Sequence, residues 1–463
     1  MPDAGHLHPV EARNGARVAH APLQMPWWRF AVRALRRLLA RVDPAWRGLL
    51  VAVAAGALGA LAVDGFRTVL FAIEAHVVGA RGGHLVDAAR QLLPQVRLLA
   101  PVAGALAAGL LVWRAAHWRN AQPEPRAVRH SGDYIEAVVI GNGRLDLPRG
   151  LLTATASLLV VSTGGAVGRE GAMVLLAAMA SSVLGRIAGK SVDLRLAVSC
   201  GAAAGLAAAY HAPLAGAMFV SEILLGSLAL AQLGPVIVAA VVSHGVTTWL
   251  VGKAVLFPLA SVPMPDASQW LPMFVVGLVA GSAGAGLLTW LEGARDLYAR
   301  IHLPPPLAFA LGGLIVGALS LGVPEVWGNG YSSVERLLTA PPVWQTVLLV
   351  LVFKLVAVGA TTGSGAPGGV FTPTLFVGAA FGALVAAAMQ ALGATSQIEP
   401  VYVLLGMASL LAATTHAPVM AALMVFEMTG QYTLLAALLP ACVAAAMLSR
   451  KLHPRSVYGL GAR

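Results

Sequence analysis

The stretch HAPLAGAMFVSEIL at residues 211–224 returns about 200 residues later as HAPVMAALMVFEMT at residues 416–429. Each copy carries a single carboxylate, Glu222 or Glu427, eleven residues after its histidine in an otherwise apolar run. A second matched pair lies upstream: GAVGREGAMVLLAAMASSVLG at 165–185 and GAPGGVFTPTLFVGAAFGALV at 365–385. The order of glycine-rich loop, helix and His-Ala-Pro helix therefore occurs twice, and the chain reads as two related halves. Duplicated halves with interrupted apolar segments are the pattern of membrane transporters that bind their cargo between the halves. From the residues alone the repeat can be parallel or inverted.

Composition fixes the solvent. Of 463 residues, 58% are hydrophobic and 11% charged, against about 25% charged in a soluble domain. Uncharged runs recur at 48–63, 196–220, 223–252, 270–291, 304–323, 355–398 and 433–449. Most of them supply one or more spans of roughly 20 residues. The fold class is an all-α polytopic membrane protein.

The net charge of +11 does not point to nucleic acid, because much of it sits at one end: the first 47 residues hold eight Arg against three acids. Residues 1–25 read as a polar tail without the apolar core of a signal peptide. Residues 26–46 place Arg29, Arg33, Arg37 and Arg41 on one side of a helix and Trp28, Val32, Leu35, Leu38 and Leu39 on the other. That is the pattern of an amphipathic helix at a membrane surface. The positive-inside rule puts this end in the cytoplasm, and basic residues at 450–463 put the other end there too, although the Arg81–Arg97 stretch is also positive. The expected division is a first membrane half at 47–252, a second at 253–449 and a cytoplasmic end at 450–463. Cys200 and Cys442 lie in apolar runs, which argues against a disulfide framework or a metal site.

Between Gly150 and Gly185 the only charges are Arg169 and Glu170, side by side in a glycine-rich loop. Non-helical backbone at membrane depth is tolerated where it is buried or lines a cavity. A glycine-rich loop leading into a helix turns several backbone N–H groups toward one point, and the helix dipole adds partial positive charge there. Two such loops facing each other make a site for a small anion. A cation-coupled transporter of an organic solute is the competing reading, but the halves lack a midplane Asp to hold the cation. No HExxH, GxSxG or paired catalytic Asp occurs in the membrane segments, so enzymatic activity is not expected.

GREGA at 168–172 resembles the GREGP signature of the CLC family of chloride channels and chloride/proton antiporters. GSGAPGGVFTP at 363–373 resembles that family's third signature, and HAPLAGAMFVSE, FEMTGQY and SVY at 456–458 match further family positions in order. The resemblance covers roughly residues 48–460. It implies the CLC-type inverted-repeat fold of about eighteen tilted or partly spanning helical segments. It also implies a homodimer in a bacterial inner membrane, with an anion pathway in each subunit and no cofactor.

By matched position Glu170 is the gating glutamate: its ionised carboxylate occupies an anion position and blocks it, and protonation releases it. A lone charge at mid-membrane costs about 2.5–3.5 kcal/mol on insertion scales, which ring-forming N–H donors offset. The resemblance further implies chloride-binding groups at Gly168 and Arg169, at the backbone N–H groups of Val370 and Phe371, and at the Tyr458 hydroxyl. A serine donor from the family's first signature falls on Ser131 when RHSGDYIEAV is aligned on Ser131-Gly132. Aligning on Glu136 instead puts Gly132 there.

Many antiporters of the family carry two adjacent glutamates where this chain has Glu222-Ile223. The relay position then falls on Ile223, which carries no proton. The expectation is a chloride channel-like conductance sensitive to voltage and pH. The alternative is a chloride/proton antiporter in which Glu222 serves the proton path. Glu427 and Lys354 are expected to pack and pair, and His211 and His416 to mark helix entries, not metal sites.

Overall fold

The structure, a computed structural model, describes residues 36–37, 40–80, 84–120, 133–189, 191–226, 230–252, 255–259, 262, 266–393 and 399–459. The polar tail and most of the basic amphipathic stretch lie outside the described residues, as do Ser131 and Gly132. Among the described residues the chain forms seventeen α-helices and no strand longer than an isolated bridge.

The first half runs through α1 (Pro44–Val77), α2 (Leu85–Gln91), α3 (Pro94–Asn120), α4 (Tyr134–Val139), α5 (Leu147–Ser162), α6 (Glu170–Ala188) and α7 (Leu194–Tyr210). It closes with α8 (Pro213–Phe219), continued as a π-turn to Leu225, and α9 (Leu230–Val251). The second half holds α10 (Ala267–Ile301), α11 (Pro305–Gly322), α12 (Tyr331–Thr339), α13 (Trp344–Gly363), α14 (Phe371–Ala391), α15 (Glu399–Thr415), α16 (Pro418–Thr429) and α17 (Leu435–Leu452). Nine of these are long and apolar enough to cross a bilayer, whereas α5, α7, α15 and α16 fall short of that length. Short apolar helices survive at depth by being wrapped in protein. Helix α15 is the extreme case, buried continuously from Val401 to Thr415.

Local sequence explains where the helices begin. Asp43, Asp133, Asp146 and Asp193 each accept a backbone N–H at a helix start, satisfying a donor that the helix itself cannot. Between helices, small residues set the spacing, as expected where van der Waals contact and not the hydrophobic effect drives association. At the α14–α15 crossing a Cβ on Gly406 would stand 2.3 Å from the Gly378 carbonyl oxygen. Only glycine permits that approach.

The two His-Ala-Pro segments adopt the same backbone. His211 and His416 take the left-handed conformation at φ 56° and 59°. Ala212 and Ala417 follow at φ −126° and ψ 81° and 80°. Pro213 and Pro418 then open α8 and α16, where a missing N–H costs nothing. The histidines thus end the preceding helices as much as they introduce the next.

The carboxylates settle the orientation of the repeat. Glu222, beyond the end of α8, accepts from Val419 N at 3.2 Å and Met420 N at 2.7 Å, the first turn of α16. Glu427, near the end of α16, accepts from Leu214 N at 2.9 Å and Ala215 N at 2.8 Å, the first turn of α8. Each helix offers its C-terminal glutamate to the other's N-terminus, so the two run antiparallel. Halves related this way are inverted with respect to one another.

Candidate anion site and its gate

The two glycine-rich loops meet. Gly168 N donates to Gly369 O at 2.6 Å and Gly369 N to Gly168 O at 2.7 Å, a single antiparallel bridge between the halves. Upstream, Gly164 at φ +101° makes a left-handed turn against the Trp327 ring, which would lie 2.5 Å from any Cβ there. The bridge sets the N-terminus of α6, beginning at Glu170, beside that of α14, beginning at Phe371. First-turn N–H groups have no carbonyl partner four residues back in their own helix. Two positive helix ends therefore converge with unspent donors from Val370 and Phe371, the arrangement that suits a small anion.

Glu170 is buried at this junction, 4% exposed. Its Oε1 accepts from Asn329 Nδ2 at 3.1 Å, while Oε2 has no hydrogen-bond partner among the described residues. A Cβ on Gly168 would lie 2.0 Å from that free oxygen. Glycine at 168 is what leaves room for the carboxyl to fold back over the bridge.

Arg169 turns the other way. Its guanidinium lies 5.3 Å from the Phe71 ring centroid and 6.0 Å from that of Tyr331, within cation–π range. It lines a cleft of about 260 Å³ together with Arg67, Glu74, Asn329 and Tyr331.

On the opposite side, aromatic side chains enclose the junction. The Tyr210 hydroxyl pairs with Thr372 Oγ1 at 2.8 Å, and its ring stands 5.1 Å from that of Phe371. Tyr458 makes an edge contact with Phe219 at 5.7 Å, and Phe219 in turn reaches Tyr134 at 6.5 Å. The segment carrying Tyr458 is tied down by Val457 N donating to Thr414 O at 2.9 Å. His453 and Arg455 both pair with Glu292. Burial pushes the Tyr458 phenol above its ordinary range, so at neutral pH it is an uncharged O–H donor. Burial likewise raises the Asp133 carboxyl at the start of α4.

Of the residues singled out in the sequence, Gly168, Arg169, Glu170, Val370 and Phe371 gather at the bridge. Tyr458 lies within electrostatic reach of Glu170. Ser131 is outside the described residues, although Asp133 two positions on caps α4. Glu222 is not among this group: both its carboxylate oxygens are engaged at α16. Glu427 and Lys354 both pair with backbone groups away from the bridge. Asn329, Tyr210 and Thr372 were not singled out. The run WGNGY at 327–331 held the one signal, a lone amide between two glycines.

A family profile described as voltage gated chloride channel matches residues 104–450. The voltage-gated ClC-type chloride channel ClcB of Escherichia coli O81 (strain ED1a) is 46% identical over 416 residues, covering 89% of this chain and 98% of that protein. ClcB of Escherichia coli O17:K52:H18 is 46% identical over 419 residues, with the same coverage. Among solved structures, a slow cyanobacterial Cl−/H+ antiporter superposes with a TM-score of 0.74 at 24% identity, covering 90% of this chain and 97% of that one. A CLC-type fluoride/proton antiporter superposes at 0.70 and 22% identity, covering 93% and 98%.

Proposed function

This chain belongs to the CLC family of voltage-gated chloride channels, and on that premise we propose that it carries chloride across the membrane through a pore gated by Glu170. The observation that carries the reading is the bridge that sets two helix N-termini together with one buried carboxylate over them. An ionised Glu170 competes with chloride for the same positive field; a protonated one does not. The backbone N–H groups of Arg169, Val370 and Phe371 and the Tyr458 hydroxyl are the groups we assign to the anion, whereas Gly168, expected among them, spends its N–H on Gly369 O and instead holds the two loops together. Ser131, two residues before the Asp133 cap, is the further donor we assign.

The basic stretch before α1 orients the path. With that end cytoplasmic, the far end of α1, where Glu74 and the Arg169 cleft lie, faces outside. We assign the protein to a bacterial inner membrane as a homodimer, with both termini cytoplasmic.

Channel-like conductance is the reading we favour over chloride/proton antiport. Ile223 has no titratable group, and Glu222 beside it spends both oxygens on α16. A proton crossing the bilayer needs a relay of titratable groups or water. The antiporters among the structurally similar proteins are less than 25% identical to this chain, and that likeness speaks to the fold. Uptake of radiolabelled chloride into proteoliposomes, run beside radiolabelled sodium, tests the cargo. Chloride uptake without sodium uptake is expected; sodium-dependent uptake of an organic solute would replace this reading with a cation-coupled transporter.

A further inference from the structure

We propose that Asn329 is a positioning residue for the Glu170 gate: its carboxamide holds the ionised carboxyl toward the cleft, and Lys354 fixes the loop that presents it. The inference rests on the gating reading above and names the part of the protein that sets the gate's response.

The loop before α12 is pinned from every side. Lys354 is fully buried, and an ammonium in that position needs its three donors satisfied. Its Nζ donates to Gly328 O at 2.7 Å and Val326 O at 2.8 Å, with Trp327 O at 3.3 Å and Glu325 O at 3.4 Å alongside. Gly328 N donates to Gly164 O at 3.2 Å, joining this loop to the one that carries Glu170. Arg90 and Arg336 pair with the Glu325 carboxylate at the surface. Gly328 and Gly330 both have positive φ, 65° and 92°, so the backbone on each side of Asn329 turns in a way other residues resist.

Asn329 cannot present its amide the other way round. Its Oδ1 accepts from Tyr331 N at 3.2 Å, which leaves Nδ2 to face Glu170 Oε1 at 3.1 Å. Swapping the two ends would set a carbonyl against a carboxylate and an NH2 against an N–H. Among the described residues this is the hydrogen bond that the Glu170 carboxyl receives.

The surrounding groups leave that donor decisive. Tyr331 of α12, Tyr210 of α7 and Tyr458 of the C-terminal segment are within electrostatic reach of Glu170, and all are neutral phenols. Arg169 flanks the carboxyl on its own loop, while Arg67 and Glu74 of α1 act on Arg169. A neutral amide that donates to a carboxylate favours its charged form. It releases the group on protonation more readily than a direct arginine pair would. Removing the donor moves the gate's response toward higher pH.

The test is chloride flux against pH in proteoliposomes. Asn329→Asp keeps the acceptor for Tyr331 N and removes the donor to Glu170; Asn329→Ser shortens the side chain so that both amide ends are withdrawn, without added charge. Both are expected to move the flux midpoint to higher pH, by about one unit, equivalent to a tenfold change in proton affinity. Lys354→Met is expected to move it the same way and to add nothing to Asn329→Ser. On a Glu170→Gln background the Asn329 changes are expected to have no effect. An Asn329→Ser profile that coincides with the parent's, or an effect that survives Glu170→Gln, overturns this inference. A Glu170→Gln protein that keeps the parent's pH response overturns the gating reading itself, whatever Asn329 does.

Discussion

Replacing Glu170 with Gln is expected to leave chloride flux high and insensitive to pH, whereas flux through the unaltered protein is expected to rise as external pH falls from about 7.5 to about 4.5. Gln has the shape of a protonated carboxyl and no charge, so it cannot compete with chloride for the two helix ends. In the parent, the open fraction follows the protonated fraction of Glu170, which falls about tenfold for each pH unit above its midpoint. At neutral pH the variant is therefore expected to exceed the parent by at least about tenfold in the gated component. The direction matters as much as the size. Flux is expected at low pH and is expected to be lost as pH rises, because in the proposed gate the ionised form is the one that occupies the anion's place. Tracer efflux from chloride-loaded vesicles, measured at several external pH values, reads both.

The largest effect on stability is expected at the exchanged caps. Glu222→Ala strips two first-turn N–H groups of α16 of their acceptor, and Glu427→Ala does the same to α8. A buried donor left without a partner costs about 1–3 kcal/mol, so each alanine, which strands two, is expected to cost about 2–6 kcal/mol. Gln retains one acceptor oxygen and is expected to cost about half as much. Both caps join the same two helices, so the double variant is expected to lose less than the two losses combined. Thermal unfolding in detergent, followed by the loss of the monodisperse peak, measures this. A Glu222→Gln protein with unchanged stability and altered proton movement would instead identify Glu222 as a relay.

Those caps show where sequence reading stopped. The repeat itself was legible, since His211 and His416 head runs that share His-Ala-Pro and a glutamate eleven residues on, and composition alone required helices in a bilayer. The orientation of the repeat was not legible from the residues. It is decided by hydrogen bonds between positions 197 to 213 residues apart, and a glutamate in an apolar helix looks the same whether it caps a partner or carries a proton. By resemblance the sequence offers Glu222 for the proton path only as the neighbour of the relay position at Ile223.

The site divides in the same way. Glycine-rich loops ahead of helices point to donor-rich N-termini wherever they occur, so the two loops could be named from local sequence, while the roles of Gly168, Glu170, Val370 and Phe371 within them came from the CLC resemblance. Asn329 could not. Its partner is 159 residues away, and nothing in WGNGY reveals that a lysine in α13 holds the loop by its carbonyls. Tyr210 and Thr372 were equally silent: each is an ordinary helix residue until folding pairs them. The resemblance to the CLC signatures supplied Tyr458, which no local pattern marks.

The measurement that bears most directly on a chloride pore gated by Glu170 without proton coupling is proton movement in chloride-loaded proteoliposomes under an imposed chloride gradient. The structure and sequence together, with Ile223 untitratable and Glu222 committed to α16, predict that chloride leaves without driving protons uphill. Uphill proton movement that scales with the chloride gradient and disappears in Glu170→Gln would contradict this account and make the protein a chloride/proton antiporter.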